Sequence, residues 1–118
     1  MHTVFRSKEH LVTEIKLKEI DVDLFLCIIE KGQLDIIEIT KILNKDEKQI
    51  RESAKRLVDL GGMIDMPNDR VEALHPRFAA VNMYRRYCQR EGIKFTQNKN
   101  VDSIGVELEK PYERVRTK

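Results

Sequence analysis

With 118 residues, ordinary apolar content and a net charge of only +2, the chain reads as one domain with a modest core, and its overall balance does not announce a nucleic-acid partner. Tryptophan is absent and aromatic residues make up 6%, which argues against a carbohydrate-stacking or single-strand base-stacking surface. Neither a signal peptide nor a membrane-length apolar run occurs, since the run from Phe25 to Ile29 is far too short, so a soluble, cytoplasmic chain without membrane contact is expected.

Five Gly and three Pro are few, so most of the chain belongs in regular elements, mainly helices. Residues 1–20 read as an N-terminal helix or arm, with Ser7 capping a short helix through Lys18 and Leu11, Val12 and Ile15 at helical spacing. Asp21 is the expected N-cap of the next helix, whose run Leu24, Phe25, Cys27, Ile28, Ile29 suits a central core helix ended by Gly32. As a strand the run would also be acceptable, but Glu30-Lys31-Gly32 looks like a helix end. Asp35 can cap a third helix in which Ile36, Ile39, Ile42 and Leu43 repeat at helical spacing.

A tight Asn44-Lys45 turn follows, and then Asp46 and Gln49 in the spacing of a capping box, which sets the start of a helix over 47–60. Ile50, Ser53, Ala54, Leu57 and Leu60 fall on one face of it; Lys48, Arg51, Glu52, Lys55, Arg56 and Asp59 lie on the other. Gly61-Gly62 ends this helix by allowing positive φ. Residues 63–66 and 70–74 can then pair across Pro67-Asn68-Asp69 as a small ribbon.

Pro76 suits the first turn of a helix over 76–91, ended by Gly92. Its apolar arc is wider than the ~100° stripe that one-sided packing needs. A second packing partner follows, either the rest of the chain or a second copy, and Ala80, Val81, Met83, Tyr84, Tyr87 and Cys88 are the candidate dimer residues. In the tail, 92–118, Ile93-Lys94-Phe95 can form a short strand. Val101, Ile104 and Leu108 have helical spacing, but Gly105 weakens a helix there and Pro111 is expected to halt it, leaving the segment from Tyr112 to Lys118 basic and loosely ordered.

The order helix, turn, helix, ribbon over 21–75 is that of a winged helix-turn-helix domain, so the fold expected is mainly α with a small β-hairpin and an additional C-terminal helix after the wing. The helix over 47–60 is then the candidate DNA reader. Lys48, Gln49 and Arg51 lie in its first turn, Lys55 and Arg56 further along at the phosphate flanks, Lys45 in the preceding turn, and Asn68 and Arg70 at the wing tip. Gln49 can read adenine and Arg51 guanine. From Asp46 to Leu60 four bases balance four acids, which a solvated, salt-bridged face would also show. From Ala73 to Arg90, Arg77, Arg85, Arg86 and Arg90 stand with no Asp or Glu, a local net of +4 that supports phosphate contact or simply a solvated helix face.

Catalysis fits poorly. His2, His10 and His75 are scattered, and no Gly-rich phosphate loop, Ser-His-Asp order or paired-carboxylate signature appears. Cys27 and Cys88 sit in apolar helical patterns without a CxxC or a Cys/His cluster, so both read as buried reduced thiols. No metal, cofactor or enzymatic role is expected.

From Leu17 to about Arg90 the chain resembles the winged N-terminal domain of the archaeal TrmB-type transcriptional regulators. The resemblance is carried by the core helix 22–32 and by Ile36-x-x-Ile39-x-x-Ile42-Leu43. It continues through Ile50-Arg51-Glu52-Ser53-Ala54-Lys55-Arg56-Leu57-Val58-Asp59-Leu60-Gly61-Gly62-Met63-Ile64. The post-wing segment from Val71 to Ala80 is similar to the family's exit pattern, with Val71 where Tyr is usual. The resemblance implies an archaeal-type regulator whose second helix reads the major groove and which dimerises through the helix after the wing. The residues after Arg90 are too few for the family's sugar-binding domain. The function expected is therefore sequence-specific binding of double-stranded DNA by a homodimeric transcriptional regulator. The alternative is a winged-helix protein-interaction adaptor in a transcription assembly.

Overall fold

The computed structural model describes residues 3–116, with side chains from Arg6 onward. The elements run α1 (Thr3–Ile15), α2 (Glu19–Lys31), β1 (Leu34–Asp35), α3 (Ile36–Leu43), α4 (Glu47–Asp59), β2 (Met63–Met66), β3 (Arg70–Ala73), α5 (Pro76–Glu91) and α6 (Lys99–Arg114). Helix α2 is the axis of the core. Val22, Leu24, Phe25, Leu26, Ile28 and Ile29 are all buried because α1, α3, α4, α6 and β3 pack around it. This is the physical meaning of its nearly unbroken apolar run: little beyond a narrow stripe of Glu19, Asp23 and Glu30 is left for water.

The fold class is the expected one, mainly helical with a small antiparallel sheet, in the order of a winged helix-turn-helix. The sheet has three strands rather than two, in the order β1-β3-β2. Leu34 and Asp35 add the third strand by pairing with Val71 and Arg70, while Met63 pairs with Ala73 and Met66 with Arg70. A two-residue strand carries no periodicity to read in advance. The hairpin turn uses Asn68 and Asp69 at φ 66° and 61°, a left-handed conformation that their short side chains tolerate.

Several helix ends differ from expectation. Ser7 caps nothing: it lies inside α1, fully buried, and its Oγ donates to Glu107 Oε1 at 2.7 Å. Helix α2 starts three residues early, at Glu19 with Lys18 as its N-cap, which places Asp21 within the first turn and turns its side chain into the core. The Asp35 cap is present as a full capping box, with Glu38 N–H donating to Asp35 Oδ1 at 2.8 Å and Asp35 N–H to Glu38 Oε1 at 3.0 Å. The box expected at Asp46 and Gln49 is not formed; Asp46 has the extended backbone of an N-cap but its side chain makes no cap bond.

The largest departure is in the tail. Helix α6 continues through Gly105 and Pro111, burying Val101, Ile104, Leu108 and Pro111. At Gly105 α5 and α6 lie in close contact: a Cβ built there would lie 2.8 Å from Arg77 Cα. A glycine that weakens an isolated helix here permits close backbone approach. Pro111 removes one N–H from the last turns, and the tertiary burial of α6 overrides that cost. Ile93-Lys94-Phe95 is not a strand; Phe95 instead folds back so that its ring centroid lies 5.9 Å from that of Tyr84.

The end of the chain is also ordered by specific bonds. The Arg116 guanidinium donates to the Ile28 and Ile29 carbonyls at 3.0 and 3.1 Å, supplying partners to the C-terminal turn of α2. It also donates to the Tyr112 carbonyl and to Glu72 on β3, and stacks over the Tyr112 ring at 3.8 Å. Thr117 and Lys118, counted above with the basic tail, lie outside the described residues. No helix among the described residues is long and apolar enough to cross a membrane.

Candidate nucleic-acid interface

Helix α4 is held against the core by the apolar face read from its spacing: Ile50, Ser53, Ala54, Leu57 and Leu60 are all buried. Lys48, Gln49, Arg51, Glu52, Lys55 and Asp59 are exposed. At 100° per residue, Lys48, Glu52, Lys55 and Asp59 form a single row directly opposite the buried face. Arg51 flanks the row on one side, and Gln49 and Arg56 on the other. Because the Asp46 box is not formed, the Gln49 side chain is not committed to capping.

The flanking arginines are both held within the chain. On one side, Asp21 reaches across from α2, its side chain 3% exposed. Ser53 Oγ donates to Asp21 Oδ1 at 2.6 Å, and Arg56 donates through Nη2 at 2.8 Å and Nε at 3.1 Å. The hydrogen bond to Asp21 raises the Arg56 pKa above its ordinary value. Arg56 therefore fixes α4 to α2 rather than standing at a phosphate flank. On the other side, Arg51 forms a two-pronged bond to the wing tip, Nη1 to Asp69 Oδ1 at 2.9 Å and Nη2 to Asp69 Oδ2 at 2.7 Å. Its Nε donates to Glu47 Oε2 at 2.8 Å. These bonds, Asp69 first and Glu47 second, push the Arg51 pKa up, and the same contact holds the Asp69 carboxyl below its ordinary range. The fork that would read guanine is thus matched to an aspartate.

Between α4 and the wing lies a groove of about 400 Å³ lined by Ala54, Val58 and Val71, with the acids Asp59, Asp65 and Asp69 and the bases Arg51, Lys55 and Arg70. Its charges balance. At the wing, Asn68 is exposed, but Arg70 is engaged: Nε donates to Gln33 Oε1 at 2.7 Å and Nη2 to the Gln33 carbonyl at 2.9 Å. Of the eight DNA-contact candidates, Lys45, Lys48, Gln49, Lys55 and Asn68 are exposed without a strong internal bond, while Arg51, Arg56 and Arg70 hold the domain together.

The basic block on α5 is also mostly engaged. Arg77 donates to Glu109 Oε1 at 3.1 and 2.9 Å, Arg86 to the Asp59 carbonyl at the end of α4, and Arg85 to Asn82 Oδ1 while lying 5.1 Å from the Phe95 ring centre. Arg90 remains exposed, in a cleft with Lys16, Lys18 and Tyr87.

The second packing partner of α5 is α6 of the same chain, its most extensive neighbour. Ala80, Met83 and Cys88 are buried, and Val81, Tyr84 and Tyr87 are half-buried. The wide apolar arc is therefore largely filled from within, with Val81, Tyr84 and Tyr87 keeping partial exposure.

His75 serves as the N-cap of α5: its Nδ1 accepts from Arg77 N–H at 3.2 Å. Its Nε2 faces carboxylate oxygens of Glu109 and Glu113 at 3.6 and 3.9 Å, and the three donor atoms lie within 4.8 Å of one another. His10 lies 3.2 Å from Ser103 Oγ, and His2 lies outside the described residues. Cys27 and Cys88 are buried free thiols, and burial pushes the Cys27 pKa up.

The link through Asp21 escaped the sequence reading, although a signal for it exists. Ser53 is a polar residue on the buried face of α4, and Asp21 directly precedes the apolar run of α2. Two polar side chains on facing apolar stripes need each other as partners. No known family model, curated protein or solved structure matches the chain. The residues and their arrangement carry the functional reading alone.

Proposed function

We propose that this chain is a double-stranded DNA-binding protein acting as a transcriptional regulator, with α4 entering the major groove. One observation carries the reading: in a winged helix-turn-helix order, the outward row of α4, Lys48, Glu52 and Lys55, stands exposed, with Lys45 exposed in the turn before it and the wing reaching only the flanking Arg51. Lys45, Lys48 and Lys55 neutralise phosphates, and Gln49 and Glu52 face the bases. The TrmB-type resemblance of residues 17–90 points the same way. Because α6 fills most of the α5 arc, the proposal requires only one copy per groove.

The test is a salt titration of duplex binding. Three lysines on phosphates give a slope of log affinity against log salt of about −3. Lys48→Ala with Lys55→Ala lowers affinity and flattens that slope, with the fold intact by circular dichroism. A second reading, a protein-interaction adaptor, is favoured by the internal neutralisation of Arg51, Arg56 and Arg70 and by the balanced charge of the wing groove. No measurable duplex binding at low salt would favour the adaptor and reject DNA.

A further inference from the structure

Glu52 stands in the row that points straight out from the core, between Lys48 and Lys55, in the second turn of α4. Among the described residues it makes no hydrogen bond or ion pair; its interaction is a through-space attraction to Arg56. Arg56 itself is turned away to Asp21, and Lys55 lies 4.0 Å from Asp59 rather than from Glu52. A carboxylate here, with its neighbours engaged elsewhere, is an uncommitted acceptor about five residues, or roughly 7.5 Å, along the helix from its start.

Resting on the DNA-binding reading, we propose that Glu52 is a specificity-determining residue that reads cytosine in the major groove, and that Arg51 is not a base reader but the clasp joining α4 to the wing. The chemistry selects the base. A carboxylate can only accept, so thymine O4 and guanine O6 and N7 repel it. Adenine offers the N6 amine, but its N7 acceptor sits beside it. Cytosine presents the N4 amine with a C–H as its neighbour, so it alone receives a carboxylate without an adjacent acceptor on the same base. Lys48, one turn earlier on the same row, can reach guanine O6 and N7 or a phosphate, and it offsets the repulsion between Glu52 and the backbone. Arg51, in contrast, already has both prongs on Asp69 and its Nε on Glu47.

The experiment is selection of random-sequence duplexes by the full chain, followed by affinity measurements on the selected duplex, for the wild type, Glu52→Ala and Glu52→Gln. Cytosine should be enriched at one position by the wild type. Replacing that C·G pair with T·A should weaken wild-type binding about 5- to 150-fold and leave Glu52→Ala nearly indifferent. Toward a scrambled duplex, Glu52→Ala should bind better than the wild type, because a negative charge has left the groove; a merely structural role would not produce that gain. Glu52→Gln should move the preference toward adenine, which matches an amide. If Glu52→Ala selects the same base at every position as the wild type, the Glu52 assignment is overturned while DNA binding stands. If the wild type retains no duplex at low salt, the DNA-binding reading fails and takes this inference with it.

Discussion

Replacing Asp21 tests whether the orientation of α4 depends on one buried carboxylate. Asp21→Ala removes the only acceptor of Ser53 Oγ among the described residues, a hydroxyl that is fully buried and donates at 2.6 Å. Leaving that hydroxyl unsatisfied costs about 1–3 kcal/mol. The Arg56 side chain is 35% exposed and can turn to water, so its loss adds only about 1 kcal/mol. The sum, about 2–4 kcal/mol, lowers the melting temperature by roughly 10 °C for a domain of this size. Asp21→Asn keeps an acceptor for Ser53 and should cost less. Arg56→Met should cost more, about 3–5 kcal/mol, because it strands a carboxylate that is only 3% exposed. The double change Asp21→Leu with Ser53→Ala removes both ends and should be milder than Asp21→Ala. Urea unfolding followed by circular dichroism measures all four. An Asp21→Ala protein within roughly 0.5 kcal/mol of the wild type, or an Arg56→Met protein more stable than Asp21→Ala, would refute the reasoning.

Gly105→Ala gains about 1 kcal/mol of helix propensity but drives its methyl to 2.8 Å from the Arg77 backbone, an overpacking of about 1–3 kcal/mol. The urea midpoint should fall, and a rise would mean that α5 and α6 can separate freely. Ending the chain after Gly92 removes Val101, Ile104 and Leu108 from the core, each worth about 1.5–3 kcal/mol. That loss approaches the whole stability of a small domain, about 5–15 kcal/mol, so the shortened chain should give no cooperative melting transition. Acid should weaken the fold. Hydrogen bonds from Arg51 to Asp69, Arg77 to Glu109 and Asn100 to Glu14 lower these carboxyl pKa values in the folded state below the ordinary 3.8 for Asp and 4.5 for Glu. A lowered folded value stabilises above the unfolded value, so this contribution is complete above about pH 5 and is lost as pH falls through the folded values. Carboxyl carbon NMR titrations should give midpoints below the ordinary ones; midpoints at or above them would remove these contacts from the account.

Where a segment's own pattern sets its environment, its fate was legible. The buried face of α4 follows from helical spacing, the Asp35 cap from its place before the apolar repeat, and the turn at Asn68 and Asp69 from side chains that accept positive φ. Where two distant segments settle the outcome together, it was not. Ser7 looks like a cap because its neighbours do not reveal Glu107, a hundred positions away. Gly105 and Pro111 read as breakers because propensity knows nothing of α5 and α1, against which α6 gains most of its burial. The arginines were the least legible of the candidate site. A guanidinium has the same long reach toward a phosphate and toward an aspartate, and only the fold shows which one is near.

The amino-acid order by itself determined the succession of helices and ribbon and the apolar face of each helix, because hydrophobic periodicity acts within a few turns. Tertiary packing alone decided that the last 20-odd residues cover α5, and that Arg51, Arg56 and Arg70 clasp carboxylates and carbonyl groups of their own chain. The reason is that pairing between charges or small residues far apart in sequence exists only once the backbone brings them within a few ångströms of one another.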